Sequence, residues 1–286
     1  MQVLLRSIRS ACGMSQEEFA KAIGSTFASV NRWENGRHVP NRMAQGRILD
    51  LCREKGVPLS DIVLGNISAQ VKELDVAEDR ILLFHGSKSG IQGRIAPISR
   101  AHCDFGAGFY MGTEALQPLT LVCDFDESRF YAVSIPSAGL SMLEIPADLN
   151  WAFLVAFHRG KMERIKGTVL YDRYADMAAG YDYIIGSIAN DRMFYVLDNF
   201  FLGNITDVAL VQSLSALQLG MQYVAVTQQA CDQVRIEKEI PLSYLEKECL
   251  KLLSQQNRDH GINLANEICK KHRREGRYFD EILDEA

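Results

Sequence analysis

The sequence predicts an α+β chain, with an all-helical module first and a larger mixed domain with a helical tail after it. Three observations predict this. In the first sixty-odd residues, apolar positions recur at helical spacing between Gly13, Gly24 and Gly36. From Ile81 onward, β-rich and helical runs follow one another without regular alternation. No G-x-G-x-x-G or Walker loop stands between a strand and a helix, which excludes the doubly wound and P-loop nucleotide folds.

At 286 residues the chain is long enough for two separate cores. Its net charge of -5 is unevenly spread. Residues 1–68 hold nine Lys/Arg against six Asp/Glu, and the remainder holds 22 against 30. A basic module joined to an acidic body implies that only the first part seeks a polyanion. The seven cysteines are scattered, with no C-x-x-C pair, so free thiols are expected and neither a disulfide frame nor a metal site. No signal-peptide core and no run of membrane-spanning length occurs, and a cytoplasmic protein without a membrane partner is expected.

In the first module, Val3, Leu4 and Ile8 define one helix ending near Gly13. "SQEE" sets Ser15 three residues before Glu18, a capping box opening a second helix that carries Phe19, Ala22 and Ile23 and stops at Gly24. Thr26 caps a third, "FASVNRWENG", and further helices follow around "RMAQGRILDLCREKG" and "LSDIV". Two short helices joined tightly, the second rich in small polar residues, form the helix-turn-helix pattern. "MSQEEFAKAIGSTFASVNRWENGRHVP" also resembles the phage-repressor class of such domains over residues 2–64. The resemblance implies that Gln16 and Asn35 anchor phosphates of DNA. It implies that Thr26, Phe27, Ala28 and Asn31 face base edges with Arg32 beside them, and that Val30 and Trp33 are core. Phe27 replaces a more usual polar residue, which suits a thymine methyl. A helical protein-interaction module is the plainer alternative.

Residues 1–66 are thus the first domain, 67–80 a polar, weakly periodic connector with scope for some helix, 81–238 the mixed domain and 239–286 a helical extension. Within the mixed domain, "ILLFHGS" and "GAGFYMG" read as strands, as do the β-rich "LTLVCDFD" and "FYAVSIP". "LNWAFLVAFHRGKM" has helical spacing, "YDYIIGSIA" is a buried strand, and "RMFYVLDNFFLG" and "VALVQSLSALQ" are helices. "MQYVAVT" and "VRIEKEI" are the last strands. The tail carries a basic cluster, "KKHRREGR", either a solvated helical face or a partner surface.

Two glycine-rich stretches carry the chemistry. His85, Gly86 and Ser87 end one strand, and Tyr110 begins the next. A glycine main chain offers a carboxamide one donor and one acceptor without obstruction, and an aromatic ring suits a flat cation. His85 and Ser87 can bond ribose hydroxyls, so the set has the chemistry for a nicotinamide dinucleotide. A histidine at a strand end is also an ordinary capped surface residue.

"FHGS" followed by "DFGAGFYMG" resembles the ADP-ribosyltransferase superfamily, in its histidine-tyrosine branch shared with diphtheria toxin and the poly-ADP-ribose polymerases. The span 81–237 is similar to an uncharacterised bacterial family of such domains, through "W…HR", "YDYIIGSIANDRMF" and "LGMQYVAVT". The resemblance implies a split β-sheet, NAD as substrate without a metal, His85 and Gly86 on nicotinamide and ribose, and Tyr110 stacking. The branch's late-strand glutamate falls on Gln222, which can bond a ribose hydroxyl but cannot take a proton. Mono-transfer is therefore expected over chain extension. Arg100 and Arg192 are expected on the diphosphate, with Arg94 as a further candidate and Arg159 structural. Asp191, backed by Glu114, is the carboxylate of interest, though Asp191 and Arg192 also read as a plain ion pair.

The expected protein is a mono-ADP-ribosyltransferase fused to a DNA-binding module, as a toxin-like or phage-defence effector. Its partners would be DNA, NAD, an ADP-ribose acceptor, and an antitoxin or a second copy. A regulator that senses NAD or ADP-ribose without catalysis, and simple NAD hydrolysis, are the alternatives.

Overall fold

The computed structural model describes residues 1–99, 102–188, 191–217 and 220–285, the side chains at 191, 192 and 194 excepted. The first module is five helices: α1 Gln2–Ala11, α2 Gln16–Ala22, α3 Phe27–Glu34, α4 Arg42–Lys55 and α5 Leu59–Lys72. Ser15 opens α2 with the capping box read from "SQEE", and the Thr26 hydroxyl accepts from the Ser29 N–H to open α3. Gly13 and Gly24 hold φ of 66° and 61° at the turns between them, a region closed to most side chains. Leu4, Leu5, Ile8, Phe19, Ile23, Val30 and Ile48 are buried together, and Trp33 packs half-buried against them.

Two expectations are corrected here. The connector 67–80 begins later than read, because α5 runs to Lys72 with Ile67 buried and Val71 packed on the same core. The run "LTLVCDFD" is not a strand, since Leu116–Val122 forms helix α6. Its Pro118 sits in the first turn, where no N–H is needed, and Leu119, Val122 and Cys123 are buried while Leu121 stays exposed. Spacing of three and four puts the buried set on one helical stripe, which a short apolar run does not reveal by itself.

The mixed domain continues with β1 Arg80–Ser87, β2 Phe109–Gly112, α6, β3 Arg129–Pro136, β4 Met142–Ile145, α7 Leu149–His158, α8 Val169–Asp176 and β5 Tyr183–Ser187. Then come α9 Asp191–Phe201, α10 Asp207–Ala216, β6 Met221–Ala225, α11 Gln228–Asp232, β7 Arg235–Pro241, α12 Tyr244–His272 and α13 Phe279–Asp284. The described strands form one sheet in the order β4-β5-β6-β2-β1-β3-β7. Only β4 and β5 run parallel. The sheet is continuous in its hydrogen bonds yet very thin at one place. β1 pairs with β3 along its whole length but meets β2 only at Phe84 opposite Gly112.

One face of the sheet carries Ile184 and Val224 against Trp151 of α7 and Val196 and Phe200 of α9. The other carries Leu83, Phe109, Met111, Tyr131 and Val133, covered in part by Ala230 and Cys231 of α11.

Helix α12 joins the two parts of the chain. At roughly 1.5 Å per residue its 29 residues span about 43 Å. Its first turns bury Leu245, Cys249 and Leu250 in the core that also holds α4 and α5, and further along Ala265 enters the core of α9 and α10. Buried Gln45 of α4 accepts the N–H of Leu245 at 2.8 Å and donates to the Pro40 carbonyl at 2.8 Å. Leu245 lies in the first turn, where helix N–H groups have no partner of their own, so a side chain of the first module caps this helix. The extension therefore packs on both parts of the chain.

Candidate functional site

The residues expected on DNA gather on α3 and the start of α2. Thr26, Phe27, Ala28, Arg32 and Asn35 are exposed, and Phe27 keeps 49% of its surface in water. Gln16 and Asn31 are half-buried because they belong to a relay of amides. Gln16 Nε2 donates to Glu34 Oε2 at 2.8 Å, and Asn31 Nδ2 donates to Gln16 Oε1 at 3.3 Å. Asn35 Nδ2 donates to Asn31 Oδ1 at 3.1 Å, and Arg6 Nη2 donates to Asn35 Oδ1 at 2.9 Å. The relay ends on Glu34, which is 2% exposed and takes both Nε and Nη2 of Arg9, at 2.6 and 3.1 Å. Burial pushes the Glu34 carboxyl up, but the hydrogen bonds of Arg9 and Gln16 outweigh it and hold the group below the usual carboxylate range. A residue of α1 thus fixes the surface amides of α2 and α3. Sequence spacing carried no sign of the Arg9–Glu34 pair, since the two lie in different helices.

The second set surrounds the thin place in the sheet. Past Phe84, the Tyr110 carbonyl is met by His85 Nδ1 at 2.7 Å, where a paired strand would offer an N–H. A carbonyl only accepts, so Nδ1 carries the proton. The ring stacks on Phe109 with centroids 4.2 Å apart and lies opposite Tyr131. Burial lowers the His85 pKa against the opposing pull of that hydrogen bond, so the ring is neutral and Nε2 is its acceptor. Gly86 cannot be any other residue here, because a Cβ would stand 2.6 Å from the Pro118 carbonyl oxygen and 2.8 Å from Val122 Cγ1. Ser87 is half-buried at the strand end.

Tyr110 faces the opposite side of the sheet, packed against the Trp151 core. Its hydroxyl donates to the Gly106 carbonyl at 2.8 Å and accepts the Phe105 N–H at 3.0 Å, and burial raises its pKa. It is a half-buried ring anchored through its hydroxyl. Gln222, opposite Gly112 on β6, shares that side and is 6% exposed. Its Nε2 donates to the Ser187 carbonyl at 3.0 Å and to Asp104 Oδ2 at 3.3 Å. Asp104 Oδ1 in turn accepts from Arg159 Nη2 at 2.6 Å. The structure thus carries His85, Tyr110 and Gln222 on neighbouring strands β1, β2 and β6, with His85 on one face and the other two on the reverse.

Among the remaining expected residues, Arg94 is held by Asp232 and Glu114 is exposed. Arg100 and the side chains of Asp191 and Arg192 lie outside the described residues. Ser99 is a turn former, since its Oγ accepts the Gly108 N–H at 3.0 Å. Two surface hollows lie elsewhere, one beside Ile23, Arg47 and Leu51 and one beside Leu170 and Ile282, and neither is lined by the His85 set. Sequence reasoning missed Asp104 and His158. Burial pushes the His158 imidazole down to about 4, and its Nε2 is buried with no hydrogen-bond partner among the described residues. No group of His, Cys, Asp and Glu among the described residues could hold a metal ion. No described helix is long and apolar enough to cross a membrane.

Two family models match the chain. Residues 3–61 match a helix-turn-helix domain, which supports DNA as a partner. No curated protein and no solved structure matches. Residues 81–236, from the first residues of β1 into β7 and more than half of the chain, match the family described as "Protein of unknown function (DUF3990)", and the chain belongs to that family.

Proposed function

We propose that this chain is a DNA-binding protein whose mixed domain takes NAD and transfers the ADP-ribose to an acceptor. The DNA half is supported by the helix-turn-helix match and the exposed row from Thr26 to Asn35. The NAD half rests on the motif resemblance and on one geometric observation, the opening of the β1/β2 ladder past Phe84 with neutral His85 set across it. There His85 Nε2 would accept a ribose hydroxyl, and the main chain at Gly86 would meet the carboxamide. The acceptor's nucleophile attacks C1′ of the nicotinamide ribose, the C1′–N bond breaks, and nicotinamide leaves with the bonding pair. The proton of the nucleophile would go to a base on the acceptor, since the Gln222 amide takes none. The test is calorimetric binding of NAD to the full chain, with nicotinamide release measured in the presence of cell protein and DNA. Binding with release is expected, and absence of binding overturns the NAD half.

A second reading is favoured by Gln222 itself. An amide in place of an acid suits a domain that binds NAD or ADP-ribose and reports its level to the DNA-binding module. Binding without nicotinamide release, and an operator affinity that changes with NAD, would select it.

A further inference from the structure

Helix α6 stands between the end of β1 and the DNA-binding module. It lies so close to the main chain of β1 that a Cβ on Gly86 would collide with Pro118 O and Val122 Cγ1. At the same time Leu119, Val122 and Cys123 share a buried core with Leu245, Cys249 and Leu250 of α12 and with Ile48 and Cys52 of α4. The turn that follows α6 is tied to α12 as well. Lys247, 7% exposed, donates through Nζ to the carbonyls of Phe125 and Asp126 at 2.7 and 2.6 Å. One turn on, Lys251 pairs with Asp124 at 3.7 Å. Hydrogen bonds from an ammonium are about twice as strong as neutral ones, so this tie resists stretching. Helix α4 continues the path. Its Gln45 caps α12 at Leu245, and two residues on Arg47 Nη1 donates to the carbonyls of Ile23 and Gly24, at 3.2 and 3.0 Å, in the turn between α2 and α3. An unbroken run of contacts thus leads from the Gly86 main chain to the turn that sets α3. A close-packed interior passes a displacement on and does not absorb it.

We infer that α6 couples the two functional ends of the chain: DNA held by α3 steadies the strand end at His85 and Gly86, and a molecule bound at that strand end changes DNA affinity by the same factor. The two states being biased are the docked α6 junction and its local opening. That α3 holds DNA and that a dinucleotide binds at the strand end rest on the readings above, while the link through α6 rests on the packing.

The test is hydrogen exchange of the full-length chain, read by mass spectrometry with and without a duplex that the wild-type chain enriches from a random pool. The duplex is expected to slow exchange in α3 and also in residues 82–88 and 116–128, there by about fivefold, the low end of coupling between distant sites. Helix α8 is the control, and its exchange is expected to stay unchanged. Slowing confined to residues 1–72 overturns the inference. So does equal slowing in α8, which marks a gain in global stability. Lys247→Met keeps the length of the side chain and removes its donors. In this variant the slowing at α3 is expected to remain and that at 82–88 to disappear. Slowing at 82–88 that survives the change overturns the route through α6. NAD enters neither arm, so a failure of NAD to bind leaves this result standing. Should no duplex be enriched, the DNA reading fails, and the link is judged by Gly86→Ala, which forces a Cβ against α6. Faster exchange in α4 and at Ile23 and Gly24 supports the link, and a change confined to residues 80–136 overturns it.

Discussion

Glu34 is an acid almost fully removed from water, and it stays charged because three donor groups from two other helices point at it. Removing one member of such a pair leaves the other uncompensated, so Glu34→Ala is expected to cost on the order of 3 kcal/mol in urea unfolding. The pH dependence follows from the depressed carboxyl. Its contribution is fully present above the unfolded pKa, roughly 4.3, and is lost as pH falls through the lower folded value. Wild-type stability should therefore fall more steeply than that of Glu34→Ala below about pH 4.3, as measured by melts across pH. Gln222→Glu is the opposite case. A carboxyl facing two acceptors must keep its proton, so its folded pKa lies above the unfolded one. That variant should match the wild type best at acid pH and lose roughly 1–3 kcal/mol as pH rises through the raised value. At this scale the sequence showed which residues have chemistry, but not what holds them. His85, Gln222 and Gln16 were legible as types. The Arg9–Glu34 pair and Asp104's bond to Gln222, 118 positions away, depend on folding back of the chain and leave no local pattern.

The helix-turn-helix elements were legible almost to the residue, because capping and punctuation are local. Ser15 with Glu18 and Thr26 with Ser29 make their bonds within three residues, and Gly13 and Gly24 mark turns by conformations they alone adopt cheaply. Helix α6 failed for the converse reason. Its four apolar residues suit either period, and its choice was settled by Phe84 and Phe130 of the sheet beneath Leu119 and Val122. The exposed face of α3 can be tested as an element. Arg32 is exposed and forms no ion pair among the described residues, so its charge is available to phosphate. Arg32→Ala is expected to weaken binding to all DNA sequences alike if it holds a phosphate, and to reduce the slope of log affinity against log salt by about one. A change confined to one base position would assign Arg32 to base readout instead.

For the whole molecule, the decisive fact is that the first module shares its core with α12. The boundary drawn at residue 66 cuts through α5 and removes Ile67 and Val71, and a fragment of that length also lacks Leu245, Cys249 and Leu250. A fragment of residues 1–72 is therefore expected to melt below the full chain, each lost burial of a large aliphatic contributing about 1.5–3 kcal/mol in the full-length protein. Equal melting of the fragment and of the corresponding transition in the whole chain would show that α12 adds nothing. Gln45 has a further consequence, for recombination between genes. Helix-turn-helix modules look exchangeable, a reading head attached to any body by a flexible lead. In this chain the incoming module would have to bring its own acceptor for the Leu245 N–H. A graft with leucine at the place of Gln45 would strand that amide in an apolar seam, a penalty of about 1–3 kcal/mol before any DNA is met. Swaps that carry the two ends of the seam together should be viable, and swaps of the head alone should be poorly folded.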